Sequence, residues 1–112
     1  MGSKREIDDC SIGIFGVDYD GTSSFKPGSR FGPNAIRQVS TCLETYCPKT
    51  NKDLEDINYV DFGSLNIQNF DSKSVISSVK CATNYLISHG LSPIMLGGEH
   101  SITTGAIEAL VK

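Results

Sequence analysis

The chain has 112 residues, 38% of them apolar and 21% charged, which is the balance of an ordinary globular sequence of at most one domain. Ten Lys and Arg against thirteen Asp and Glu give a net charge of −3, and because these charges are interspersed no basic face forms along which a phosphate backbone could run. Nucleic acid is therefore not an expected partner.

The longest apolar run, Pro93-Ile94-Met95-Leu96, is far short of the ~20 residues that cross a bilayer. Residues 1–9 hold no apolar stretch of the signal-peptide kind, so no membrane partner is expected and the expected location is the cytoplasm. Cys10, Cys42, Cys47 and Cys81 contain no C-x-x-C pair and read as reduced, mostly structural thiols.

Residues 1–10 read as a flexible N-terminus. Residues 11–17 are nearly all apolar between polar flanks, the pattern of a strand covered on both faces. Residues 18–32 then turn to Asp, Gly, Ser, Thr and Pro without periodicity, a loop of a length usually kept for function. Gly32-Pro33 opens a helix, since proline at the first helical position sacrifices no hydrogen bond, and Ile36, Val39 and Leu43 give it one apolar face. Residues 46–55 read as a polar surface connection, and residues 57–62 as a second strand ended by Gly63.

Val75, Val79, Ala82 and Leu86 recur at helical spacing, with Ser72 as N-cap and His89-Gly90 as stop signal. Residues 92–96 form a third strand that runs into Gly97-Gly98-Glu99-His100, after which Ser101 caps a final helix carrying Ile102, Ala106, Ala109 and Leu110. That helix reaches Lys112 without a stop signal, so the chain is expected to be part of a longer architecture. Strand and helix alternate three times, which predicts an α/β fold with a parallel sheet.

In such a sheet ligands bind beyond the carboxyl ends of the strands. Two segments lie there, Asp18 to Pro33 and Gly97 to Thr104. His100 is a candidate metal ligand with Glu99 beside it to orient the imidazole, although a simple hydrogen-bonding role at a helix start fits the same residues. Asp18-Tyr19-Asp20-Gly21 could hold a cation, but reads better as turn chemistry. Gly28 to Pro33 lacks the Lys-Ser/Thr of a phosphate loop.

Two blocks carry a resemblance. Gly16-Val17-Asp18-Tyr19-Asp20-Gly21-Thr22, followed by Pro27 to Arg37 with Gly28, Arg30, Gly32 and Pro33, resembles the N-terminal block of the ureohydrolases. Leu96-Gly97-Gly98-Glu99-His100-Ser101 resembles that family's G-G-[DE]-H-S signature, and the agmatinase branch beside arginase is the nearest in pattern. The resemblance implies an α/β/α fold with a central parallel sheet, and a pair of Mn2+ ions that generate a hydroxide to attack a guanidinium carbon. Agmatine would give putrescine and urea. It further implies His100 as a metal ligand, Glu99 and Ser101 as its supporting neighbours, and a homo-oligomer, trimeric or hexameric. Asp20 and Arg30 would lie on a loop bordering the substrate entrance.

The family's other ligands come from D-x-H-x-D and D-x-D blocks downstream of the histidine signature, and neither is in these 112 residues. Asp18-x-Asp20 lies upstream in a different block and does not replace them. One imidazole cannot hold two divalent ions against water. The expected function is thus hydrolysis of a guanidino compound by a complete protein of which this chain is the N-terminal part of a single domain, the chain alone being inactive. The alternative is a non-catalytic binding or assembly module derived from the same fold.

Overall fold

The computed structural model describes residues 3, 4, 6–67 and 71–111. In chain order the elements are β1 (Ile12–Val17), α1 (Gly32–Ser40), β2 (Tyr46–Cys47), β3 (Lys52–Asp53), β4 (Tyr59–Ser64), α2 (Ser72–Ser88), β5 (Ser92–Gly97) and α3 (Thr103–Leu110). Short 3-10 turns at Ser29–Phe31, Leu54–Asp56 and His100–Ile102 link them. The expected parallel sheet is present, in the order β4-β1-β5. β1 is the middle strand, so its backbone groups find partners along both edges.

One face of this sheet is closed. Phe15, Val17 and Val60 meet Val75, Val79 and Leu86 of α2, with Leu91 and Ile102 completing the core. Two glycines permit the close packing. A Cβ on Gly13 would stand 2.7 Å from a Leu86 methyl, and one on Gly105 would collide with the Ile76 carbonyl where α3 crosses α2.

The N-cap of α2 is Asp71 and not the expected Ser72: its carboxylate accepts from the Ser74 N–H at 2.9 Å and the Ser74 hydroxyl at 2.7 Å. A carboxylate also complements the positive end of the helix dipole, so it wins over a hydroxyl one residue later. His89 and Gly90 close the helix as expected. Gly90 has φ +73, which permits the paired bonds Gly90 N–H to Ile87 O (3.0 Å) and Leu91 N–H to Leu86 O (2.9 Å).

The opposite face is covered mainly by the short α1, which packs Pro33 against Gly16. The apolar stripe expected on this helix is there, but it does not pack: Ile36, Val39 and Leu43 are all exposed. The helix ends at Ser40, before Leu43, and its stripe overhangs the sheet. A cavity of about 230 Å³ lies beneath it, lined by Ile14, Ile36, Arg37, Tyr59, Asp61 and Leu96 among others.

Three further expectations are corrected. Residues 46–55 contain the antiparallel pair β2–β3 (Tyr46↔Asp53, Cys47↔Lys52), turned by Asn51 at φ 51. β4 does not end at Gly63; that glycine takes φ +77 inside the strand, the register with β1 shifts there, and the chain continues to Ser64. The four cysteines are free, as expected, but Cys42, Cys47 and Cys81 are exposed, and only Cys10 packs against the core. Ser3 and Lys4 run beside β4, with Lys4 N–H bonded to Tyr59 O at 2.8 Å and Asp61 N–H to Ser3 Oγ at 2.9 Å.

Candidate functional site

The two segments singled out in the sequence leave neighbouring strands at the same end, because β1 and β5 are parallel and in register up to Val17↔Gly97. They touch through their backbones. Glu99 N–H donates to the Tyr19 carbonyl at 3.0 Å, and a Cβ on Gly98 would overlap that same carbonyl oxygen. Gly97 and Gly98 carry the chain from the end of β5 into the turn that holds His100. Neither residue has the left-handed φ that only Gly28, Gly63 and Gly90 show among the described glycines, so what Gly98 supplies is the absence of a side chain at a close approach.

Both oxygens of the Glu99 carboxylate are engaged. Oε2 accepts from the Thr22 N–H at 2.8 Å, and Oε1 accepts from the hydroxyls of Thr22 and Ser101. Burial pushes the Glu99 carboxyl up, but the hydrogen bonds from Ser101 and Thr22 outweigh it and hold the group below its ordinary range. Ser101 does not cap α3 as expected: no side-chain bond closes that helix start, and the hydroxyl turns back to Glu99 instead. His100, between these two anchored side chains, is exposed and opens the 3-10 turn His100–Ile102.

The long loop is fastened at its other end by Asp20, which is only 8% exposed. Its carboxylate accepts from Gly28 N–H (2.6 Å), Arg30 N–H (3.3 Å) and the Arg30 guanidinium (3.1 Å). The Gly28 bond is the largest of the effects that draw the Asp20 carboxyl below its ordinary range, against the opposing effect of burial. Gly28 sits at φ +138, a conformation that favours glycine. Arg30 is half-exposed, with its guanidinium 4.7 Å from the centre of the Phe31 ring. Asp20 and Arg30 are therefore brought together as an ion pair at the loop's closure, beside a cavity of about 260 Å³ lined by Asp18, Tyr19, Asp20, Gly21 and Arg30.

A network not anticipated from the sequence lies behind Asp18. Arg37 grips Asp61 with two bonds of 2.8 Å and reaches Ser64 Oγ at 3.2 Å, and Ser64 donates to Asp18 at 3.1 Å. The Arg37 bond holds the Asp61 carboxyl below its ordinary range despite partial burial. Arg37 belongs to the matching N-terminal block, so its presence was visible. Its partner was not, because Asp61 lies 24 positions further along the chain in a different element, and no local spacing ties the two together.

Thr22 is likewise visible in the sequence only as one position of the N-terminal block. Its link to Glu99 spans 77 positions of chain, and no local pattern reports a contact of that range. His89, the other histidine, caps α2: its Nδ1 lies 2.8 Å from Tyr85 O, and it takes no part in this site.

Among the described residues no three His, Cys, Asp or Glu side chains gather as metal ligands would. Two carboxylates of the joined loops are spoken for: Glu99 by hydroxyl and amide donors, and Asp20 by amides and a guanidinium. The described residues of this chain do not by themselves fit a metal pair.

The fold, an α/β sheet with its two motif loops joined at the carboxyl ends of adjacent parallel strands, is that of a ureohydrolase-type domain. The model of the arginase family matches residues 10–112, and the chain belongs to that family.

It is 32% identical over its whole length to 39% of an agmatinase from Bacillus subtilis. It is 38% identical to an N(1)-aminopropylagmatine ureohydrolase from Thermococcus kodakarensis, over 87% of this chain and 34% of that protein. The solved agmatine ureohydrolase of Thermoplasma volcanium superposes with a TM-score of 0.88 at 36% identity, covering 96% of this chain and 36% of that one. A formiminoglutamase from Trypanosoma cruzi, solved with Mn2+, shares the fold at a TM-score of 0.83 and 19% identity. The chain thus spans little more than a third of the length of these relatives. No helix among the described residues is long and apolar enough to cross a membrane.

Proposed function

We propose that the complete protein hydrolyses a guanidino compound, agmatine to putrescine and urea, in the cytoplasm and as a homo-oligomer. The observation that carries this reading is the joining of the two ureohydrolase blocks at one sheet end by the Tyr19–Glu99 and Thr22–Glu99 bonds. Family membership and the agmatine-hydrolysing relatives support it.

In this reading manganese, when bound, supplies a hydroxide near neutral pH. Most of its ligands come from polypeptide outside residues 1–112, and His100 adds one imidazole from the exposed turn. Glu99 and Ser101 stand behind His100 as its supports. Asp20 and Arg30 shape the loop at the substrate entrance, and the domain continues beyond the N-terminal part seen here. The 112-residue chain alone is inactive.

Urea release by the complete protein, measured with agmatine, arginine, guanidinobutyrate and formiminoglutamate, with and without added Mn2+, tests the proposal. Manganese-dependent urea from agmatine is the expected result, together with its near-abolition and lowered metal content in His100→Ala. No urea from any guanidine would overturn it.

A further inference from the structure

We infer that Thr22 is a positioning residue, acting through Glu99 to fix the turn that carries His100. This rests on the hydrolase reading for its kinetic consequence, and on the geometry alone for its structural one. Thr22 contributes two donors to a single carboxylate, its N–H to Oε2 at 2.8 Å and its hydroxyl to Oε1. Ser101 holds Oε1 from the other side, and its hydroxyl lies 3.4 Å from that of Thr22.

The carboxylate so held belongs to the residue before His100, and the hydroxyl that completes the cage to the residue after it. His100 itself makes no side-chain hydrogen bond among those described. Its place is set by the backbone on either side, and that backbone is tied to the first loop by Glu99 N–H on Tyr19 O and by this cage. Hydrogen bonds to an ionised acceptor are roughly twice as strong as neutral ones, so the cage outweighs the single backbone bond beside it.

Thr22→Val keeps shape and the N–H bond but removes the hydroxyl donor, leaving Glu99 Oε1 with Ser101 alone. Thr22→Ser keeps the hydroxyl. In the complete protein, hydrogen exchange at the amides of residues 98–101 should accelerate roughly tenfold to a hundredfold in Thr22→Val and stay near wild type in Thr22→Ser, with the amides of α2 unchanged in both. With agmatine, kcat should fall about tenfold in Thr22→Val at unchanged KM, since sub-ångström misplacement of a reacting group acts on the chemical step, and Thr22→Ser should restore it.

Wild-type exchange in Thr22→Val, serine performing as poorly as valine, or loosened exchange with undiminished kcat in an active enzyme would each overturn the inference. If the wild type hydrolyses no guanidine while Thr22→Val still loosens residues 98–101 and Thr22→Ser does not, the hydrolase reading falls. The positioning of His100 by Thr22 then stands.

Discussion

Gly98→Ala strikes the juncture between the two loops without touching a hydrogen-bonding group. An alanine Cβ there overlaps the Tyr19 carbonyl oxygen and lies 3.3 Å from the Ser29 carbonyl oxygen. Both are backbone atoms, so no side chain can swing aside to make room. The backbone of Gly98 is not left-handed, and on conformational grounds alone alanine would be favoured by about 0.4–1 kcal/mol.

The clash must be relieved by parting the loops. That breaks the 3.0 Å bond from Glu99 N–H to Tyr19 O and draws the Glu99 carboxylate away from Thr22. One neutral hydrogen bond at about 1 kcal/mol and one to a carboxylate at about 2 kcal/mol put the loss near 3 kcal/mol, or about 2 kcal/mol after the alanine gain. Amide exchange at Glu99 in the complete protein should therefore accelerate by a factor on the order of 30 to 100, while β1 amides away from the loop keep their protection. Wild-type exchange at Glu99 in Gly98→Ala would refute the reasoning, because it would mean that the close approach does not bind the loops together.

Gly105→Ala should lower the thermal midpoint, since its Cβ meets the Ile76 carbonyl and stands 2.9 Å from the Val79 Cβ; forcing α3 off α2 costs about 1–3 kcal/mol, more than alanine's helix propensity returns. Arg37→Ala should cost about 1–2 kcal/mol, because the pair it forms with Asp61 is about a quarter exposed on each side and so partly screened. Its pH dependence has a definite sign. The folded Asp61 carboxyl is depressed by Arg37, so its stabilisation is full above the ordinary carboxylate value near 3.9 and is lost as pH falls through the lower folded value. Denaturant midpoints measured from pH 6 down to pH 2 should fall below about pH 4 in the wild type and less steeply in Arg37→Ala; parallel curves would count against the pair.

The sequence revealed most where a signal is local. The run of residues 11–17, the 4-3-4 series of α2 and the His89-Gly90 stop each depend on neighbours a few positions away, and each is found where expected. It misled where a local signal had a competitor. Ser72 and Ser101 are both good capping residues, but Asp71 offers α2 a charged oxygen one position earlier, and Glu99 offers the Ser101 hydroxyl an ionised acceptor two positions away. It was silent where the partner lies across the fold. Nothing near Asp61 announces Arg37, and nothing near Thr22 announces Glu99; the first pairing exists because α1 lies across the sheet and the second because the parallel β1 and β5 bring their carboxyl ends together, which follows from topology and not from spacing.

That same topology explains why the exposed and the anchored residues of the site divide as they do. A carboxylate at the rim of a parallel sheet sits where backbone N–H groups of the departing loops point outward, so it is readily consumed in holding loops. Asp20 is consumed by Gly28 and Arg30 and Glu99 by Thr22 and Ser101, and within β4 Asp61 is likewise taken up by Arg37 and Gly63. An acidic residue so engaged is a poor competitor for a cation, because each donor would have to be displaced and left unpaired at a cost of about 1–3 kcal/mol. His100 has no such partner among the described residues, and it is exposed. The described loops are therefore tied to one another at the sheet end and leave the His100 imidazole exposed, and chemistry that needs several ligands at once would have to draw others from groups facing it.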